Sequence, residues 1–431
     1  MPLKEKIKDQ YPGFVTWTHK VRGISAYYLN GMPSKRLKII GVTGTNGKTT
    51  TCHLLAKILE EAGERVGMAT TTTFKVGAKE WTNRTNMTTI SPFELQRLLR
   101  QMVKAGCSWA IVETTSHAIA QYRNWGIRYF AVALTNVTHD HLDYHGSFDD
   151  YIETKLKLFR GRPHVAVVNL DDPSAEKFLT FTAGRVLTYS QTKRANVVAR
   201  KILPDATGTI FTLVLPTVQI TLSFHLPGLF NVSNALCAAA LAYGLKMPPE
   251  AIKKGLETVE SVPGRMEKIV AGQDFTVLID YAHTPDALEK VYSAIAPGVR
   301  GRLIAALGAC GDRDKTKRPL MGAIAGRHAD FVVVTDEEPY GEDPLEIIEQ
   351  VAAGVPRGSK TKKMKLGETY FKIEDRREGI AKALSLARRG DAVIVTGMGA
   401  QEFRVVGKKH LPWVEREVAR EELGKLGHSK N

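Results

Sequence analysis

The stretch GVTGTNGKTTT at Gly41–Thr51 constrains this chain more than any other. It ends an apolar run, LKIIGVTG, with the composition of a buried strand. It then passes directly into TTTCHLLAKILEEAGER, where apolar residues recur at helical spacing. A glycine turn between a strand and a helix start aims unpaired backbone N–H groups at one point, and the missing side chains let a phosphate approach them. Gly44, Thr45, Asn46, Gly47, Lys48, Thr49 and Thr50 are therefore expected to cradle ATP or GTP, with Lys48 neutralising β/γ charge and the Thr49 hydroxyl holding Mg2+. The common pattern has an earlier glycine where this chain has Val42, so the loop is a variant of it.

Composition narrows the classes. At about 150 residues per domain, 431 residues make two to three domains, and 43% apolar with 24% charged residues is the balance of a water-soluble globular protein. The formal net charge of +15 favours anionic partners such as phosphates and carboxylates. No aromatic-basic recognition motif accompanies it, so nucleic acid is not an expected partner. Cys52, Cys107, Cys237 and Cys310 are scattered singly, which argues against a disulfide framework or a zinc knuckle. The first residues, MPLKEKIKDQYPGF, lack the apolar region of a signal peptide. No apolar run reaches the roughly 18 residues of a membrane span, so the expected location is the cytoplasm.

The pattern along the chain predicts an α/β protein. Residues 1–36 read as a short segment with one helix, ending in the turn residues GMPSKR. Residues 37–262 read as a P-loop domain. Its strands LKIIGVTG, SWAIVET, YFAVALTNV and HVAVVNL alternate with helices such as PFELQRLLRQMVKAG and FDDYIETKLKLFRG, which implies a mostly parallel sheet. Alternation in FTLVLP and VQITLSF predicts a small antiparallel patch between about Arg185 and Phe224. After the boundary at Pro263 and Gly264, residues 263–431 read as a Rossmann-like domain on the strands TVLIDYAH, RLIAALGA, DFVVVTDE and DAVIVTGMG.

Several residues stand where such a fold places ligands. Glu113 ends a strand near the phosphate loop, beyond the carboxyl ends where parallel sheets bind ligands, and is suited to Mg2+. His141, in THDHLDYH, follows another strand and is either a metal ligand or an ordinary loop histidine. Lys155 lies in an amphipathic helix, where lysine usually faces solvent. Asn231 and Asn234 share one helix face and are suited to a purine edge, with an N-cap role as the alternative for Asn231.

Together with GTNGKT, the stretches ETTSHAIAQYR, LTNVTHDHLDYHG, YIETKLKLF, GLFNVSN, VPGRME, DYAHTPDALEKV, GDRDKTKRPLMG and REVAREEL resemble the Mur ligases, ATP-dependent amide-forming enzymes of peptidoglycan synthesis. Within that family the chain is most similar to the branch that adds the third residue of the stem peptide. The resemblance implies two Mg2+ ions held by Thr49, Glu113, His141 and a carbamylated Lys155, with Lys48, Glu113, His141 and Lys155 as the catalytic set. It implies an adenine contact for Asn231 and Asn234, and ATP phosphate and ribose contacts for Arg265, Asp280 and His283 as the domains close; ion pairs between domains are the alternative. Thr88, Thr89, Thr115, Gln121 and Arg123 resemble the groups that hold a muramoyl-peptide acceptor, with Thr115 standing where Ser is usual.

The amino-acid side departs from the family pattern. Members that add meso-diaminopimelate read DNPR where this chain has Glu337, Glu338, Pro339 and Tyr340, and GKGHE where GMGAQ supplies Gly397 but places Gln401 at the glutamate. The carboxylate-binding arginine is therefore missing, and an acidic Glu338 suits the amine of lysine or another cationic amino acid. Arg313 and Arg318 in GDRDKTKRP remain for an α-carboxylate. Family members also carry an N-terminal UDP-binding domain for which the residues before Gly44 leave no room. The expectation is that a protein partner supplies it, that the acceptor is held without it, or that the acceptor lacks UDP. Two rivals stand beside this reading: a ligase with another acceptor, as in folylpolyglutamate synthase, and a non-catalytic ATP-binding subunit.

Overall fold

A computed structural model describes residues 12–85, 87–138, 142–180, 184–204, 208–358 and 364–428. They divide into two compact units. The first is the chain up to Leu203 with Ile210–Phe224 and Asn231–Val259; the second is Pro204–Thr209, His225–Phe230 and the chain from Glu260 on.

The strands of the first unit are β1 (Lys38–Thr43), β2 (Val66–Ala69), β3 (Thr73–Val76), β4 (Lys79–Thr82), β5 (Trp109–Glu113), β6 (Tyr129–Leu134), β7 (Val165–Asn169), β8 (Arg185–Ser190), β9 (Val197–Pro204), β10 (Thr209–Val214) and β11 (Gln219–Phe224). Among the described residues they form one sheet in the order β11-β10-β9-β8-β7-β6-β1-β5-β2-β3-β4. β1 lies at its centre, parallel to β5 and β6, with Val42 opposite Glu113 and Thr43 opposite Leu134. This register brings the phosphate loop, Glu113 and the segment after β6 out at one edge. Ile39, Ile40 and Val42 have no exposed surface, as expected of a strand covered on both faces.

Two readings of the sequence change here. The patch expected to be antiparallel from about Arg185 begins with parallel strands, β8 pairing in parallel with β7 and β9 in parallel with β8. The short strands β2, β3 and β4 also escape the sequence pattern. β3 and β4 form an antiparallel hairpin through Gly77, at φ +60°, on the sheet edge.

The helix Lys48–Glu61 begins at Gly47 and buries Leu54, Leu55, Ile58 and Leu59 at i, i+1, i+4 and i+5 spacing. Gly255, in the helix Pro249–Thr258, lets the two helices approach so closely that a Cβ there would stand 2.5 Å from the Ile58 Cα.

The second unit holds β12 (Glu267–Ile269), β13 (Thr276–Asp280), β14 (Leu303–Leu307), β15 (Phe331–Thr335), β16 (Tyr370–Ile373) and β17 (Ala392–Thr396) in the order β12-β13-β17-β14-β15-β16. Only β12 runs antiparallel to its neighbour. This is the expected Rossmann-like domain, and a hairpin of β18 (Phe403–Val406) and β19 (Lys409–Pro412) follows.

Gly255→Val should force the phosphate-loop helix away from its neighbour, because the obstacle at Ile58 is backbone. Thermal denaturation should read a loss of about 1–3 kcal/mol, and ATP affinity measured by calorimetry should fall with it.

Candidate active site

The phosphate loop is held from both sides. Gly44 has φ +147°, and a Cβ there would lie 1.9 Å from the Thr135 Oγ1, so no other residue fits. Thr135 Oγ1 donates to the Asn46 carbonyl (2.6 Å), and the Asn136 Oδ1 accepts from the Asn46 N–H (2.9 Å). Thr45 shares a hydrogen bond with the Tyr151 hydroxyl at 3.1 Å. Lys48 Nζ donates to the carbonyls of Gly44 (3.1 Å) and Thr45 (2.8 Å).

Lys155 departs from the solvated face that its helical position predicts: it is 1% exposed. Its Nζ donates to the Gly44 carbonyl at 3.0 Å and lies 4.3 Å from the centre of the Tyr151 ring. Glu113, 2% exposed, accepts from the Thr49 hydroxyl (2.9 Å) and the Thr71 N–H (2.8 Å) through one carboxylate oxygen. A carboxylate and a hydroxyl side by side at a phosphate loop are hard oxygen donors, the set that Mg2+ prefers. His141 lies outside the described residues. Among the described residues no group of three or more His, Cys, Asp and Glu side chains is placed to hold a metal.

Asn234 reaches the same loop. Its Nδ2 donates to Asn231 Oδ1 (3.0 Å), and its own Oδ1 would lie 2.1 Å from a Cβ at Gly47. Asn231 is the third residue of the helix Leu229–Gly244, in its first turn and past the N-cap position.

The acceptor candidates form one cluster beside Glu113. Thr89 Oγ1 donates to the Glu113 carbonyl (3.1 Å) and lies 3.3 Å from Thr115 Oγ1, while Thr88 accepts from Thr71 (3.0 Å). Arg123 donates to the Thr89 carbonyl (2.6 Å) and, through Nε and Nη2, to Gln121 Oε1 (2.9 and 2.6 Å). Thr71, which joins Glu113 to Thr88, was missed from sequence because it sits among four-residue strands without a readable period.

In the second unit, Asp280 ends β13 and its carboxylate accepts from the N–H groups of Met266 (2.8 Å) and Ala282 (2.7 Å). Burial pushes its pKa up, against the pull of Arg265. Arg265 stacks on the Tyr281 ring at 4.6 Å, and His283 Nδ1 lies 2.7 Å from the Tyr281 carbonyl.

The strand exits beyond β15 and β17 carry the amino-acid candidates. Glu337 and Glu338 are 2% and 4% exposed. Cys310 Sγ donates to Glu337 Oε1 (3.1 Å), whereas Glu337 Oε2 is buried without a hydrogen-bond partner. Glu338 accepts from the Val405 N–H (3.1 Å) and the Gln401 amide (3.4 Å). Burial raises the pKa of both carboxyls. Gly397, at φ +116°, leaves room for this pair, since a Cβ there would meet Glu337 Oε2 at 2.2 Å. Tyr340, at φ +50°, carries the Arg313 guanidinium 5.0 Å from its ring centre, and Glu338 helps burial raise its hydroxyl to about 12.

Comparison with known proteins now decides the lineage. A family model described as the Mur ligase middle domain matches residues 42–242, and one described as the Mur ligase glutamate ligase domain matches residues 264–399. The chain is 41% identical over 420 residues to a UDP-N-acetylmuramyl-tripeptide synthetase of Roseiflexus sp. (strain RS-1), covering 94% of this chain and 81% of that protein. The chain belongs to the Mur ligase family.

Mur ligases are ATP-dependent, ADP-forming amide ligases that use Mg2+. A second relative, a UDP-N-acetylmuramoyl-L-alanyl-D-glutamate--2,6-diaminopimelate ligase of Caldanaerobacter subterraneus subsp. tengcongensis, is 38% identical over 96% of this chain and 85% of its own length. A solved ligase of the same name superposes with TM-score 0.67 at 30% identity, over 95% of this chain and 84% of that one. The folylpolyglutamate synthase of Mycobacterium tuberculosis shares the fold at TM-score 0.71 and 18% identity, over 95% of both chains.

In this Mur ligase one candidate for the α-carboxylate is already engaged. Arg318 has no exposed surface; it donates twice to Glu342 (2.9 Å each), to Gln350 (2.7 Å) and to the Cys310 carbonyl (3.0 Å). It braces the loop, whereas Arg313 donates to the neighbouring Asp312 carbonyl (3.0 Å) and lies over the Tyr340 ring. The Arg318 fork, joined by Lys315, holds Glu342 down from 4.5 to about 2. A carboxyl depressed on folding stabilises above its unfolded pKa and loses that contribution as pH falls through the folded one. Glu342→Gln should therefore be less stable than the parent at neutral pH, and urea unfolding should show the gap closing from pH 4.5 towards 2.

Proposed function

We propose that this Mur ligase adds a cationic amino acid, lysine or a close analogue, as the third residue of a muramoyl-peptide acceptor, and that it works in the cytoplasm, where ATP is available. The observation that carries the choice of amino acid is the buried Glu337–Glu338 pair with one oxygen unpartnered. Adjacent buried carboxylates are costly unless a cation joins them, and the ammonium of the substrate is such a cation.

The reaction is one of positioning and charge. The loop N–H groups and Lys48 hold the phosphates of ATP while Arg123, Gln121 and the hydroxyls of Thr88, Thr89 and Thr115 hold the acceptor, its carboxylate directed at the γ-phosphorus. An oxygen of that carboxylate bonds to phosphorus, the bond to the β–γ bridging oxygen breaks, and ADP departs, leaving an acyl phosphate. The amine of the incoming amino acid attacks the acyl carbon and gives up a proton; the tetrahedral centre collapses to an amide and inorganic phosphate. Mg2+ would supply neutralisation of phosphoryl charge, two ions being held by Thr49, Glu113, His141 and Lys155 as its carbamate. The burial of Lys155 against the Gly44 carbonyl supports that assignment. Asn231 and Asn234 are assigned to adenine, and Arg265, Asp280 and His283 to phosphate and ribose.

Diaminopimelate is the second reading, favoured by the names of relatives 36–38% identical to this chain. The two separate by product mass when the protein is given ATP, Mg2+, UDP-N-acetylmuramoyl-alanyl-glutamate and lysine, ornithine or meso-diaminopimelate in turn. Lysine or ornithine should yield the tripeptide, and Glu338→Gln should raise the KM for it by about tenfold, the scale of a lost charged hydrogen bond. Product from meso-diaminopimelate alone would overturn the charge argument. ATP binding with no product from any of them would favour a non-catalytic subunit.

A further inference from the structure

β15 and β17, whose exits carry Glu337 and Gly397, are not neighbours: β14 lies between them in the sheet. One side chain bonds to the main chain at both exits. Arg376 opens the helix Arg376–Ser385 and has no exposed surface. Its Nη1 donates to the Asp336 carbonyl just beyond β15 (2.9 Å), and its Nη2 to the Thr396 carbonyl at the end of β17 (2.9 Å). The remaining donors face Glu415, with Nε at 3.1 Å from Oε2 and Nη2 at 2.5 Å from Oε1. Glu415, 1% exposed, opens the last helix, Glu415–Lys425, and also accepts from the Trp413 indole (2.6 Å). Arg404 pairs with the Asp336 carboxylate and lies 5.2 Å from the Trp413 ring centre, closing the network.

We propose that Arg376, oriented by Glu415, is a positioning residue for the incoming amino acid: its planar guanidinium fixes the distance between the Glu337–Glu338 loop and the Gly397–Gln401 loop. The inference rests on reading those loops as the amino-acid site. A guanidinium carries five donors in one plane, so it can hold two carbonyls and a carboxylate at set angles, which an ammonium on a flexible stem cannot. The loops must hold their spacing closely, because Gly397 leaves no room for even a methyl group beside Glu337 Oε2. Farther along, the loops also meet where Glu338 accepts from the Val405 N–H and the Gln401 amide and where Tyr340 bridges Val406, so Arg376 sets the spacing at the strand ends themselves.

The test uses the full chain with Arg376→Lys, Arg376→Met, Glu415→Gln, Glu415→Ala and Glu338→Gln, and whichever of lysine, ornithine and meso-diaminopimelate gives product. Melting temperature, kcat and separate KM values for ATP and the amino acid are measured. Both Arg376 variants and Glu415→Ala should raise the amino-acid KM by about ten- to a hundredfold, the scale of a displacement near 1 Å. The KM for ATP should stay within about twofold of the parent, and Glu415→Gln, which keeps an accepting oxygen, should be milder than Glu415→Ala. Wild-type behaviour of Arg376→Lys would show that charge alone matters and would overturn the proposal, as would an ATP KM that rises in step with that of the amino acid. If Glu338→Gln raises the amino-acid KM and the Arg376 variants do not, the site stands and Arg376 is only scaffold. If none of them changes it, the site assignment fails, and the proposal with it.

Discussion

Two ammonium groups converge on one carbonyl oxygen: Lys48 and Lys155 both donate to Gly44. Unit charges about 4 Å apart repel by on the order of 4 kcal/mol near a protein surface, so such an arrangement persists only where the fold imposes it and an anion can relieve it. The fold imposes it here through the parallel sheet. β1 delivers Gly44, the helix behind it delivers Lys48, and the helix Phe148–Arg160 brings Lys155 in from the other side. A triphosphate bound at this loop would add negative charge beside the two lysines, and carbamylation of Lys155 would reverse the sign of one partner. The first unit is in this sense a frame that holds two lysines against one loop carbonyl.

The second unit holds the opposite sign. Asp336, Glu337 and Glu338 are consecutive, all buried, and all have their carboxyls raised by that burial. Arg376 and Arg404 oppose the shift, yet neither bonds to the Glu337 carboxylate, whose Oε2 stays buried without a hydrogen-bond partner. The two units thus concentrate opposite signs of charge, lysines in the first and buried carboxyls in the second.

What could be read from the sequence follows from how local each signal is. The phosphate loop, the strand ending at Glu113 and the alternation of the second unit are written in contiguous residues, so each was legible. Lys155 was not, because helical spacing says nothing about a Gly44 carbonyl that lies 111 residues away in the chain. Arg318 was placed in the right loop but given the wrong freedom, since its partner Glu342 is 24 residues away. The Arg376–Glu415 pair spans 39 residues and joins two helix starts, which no periodicity records. β2, β3 and β4 have four residues each, too few for a period to show, and with them went Thr71.

Arg376 grips main-chain carbonyls at Asp336 and Thr396. That grip reads only backbone, so it does not depend on which side chains stand at Asp336 and Thr396, whereas the tie from Glu338 to the Val405 N–H depends on its carboxylate. The side chains of Tyr340 or Gln401 could be exchanged over evolutionary time while the Arg376 link beneath kept its shape. A lineage built on this arrangement can vary the side chains of the two loops by single substitutions, with no refolding between them.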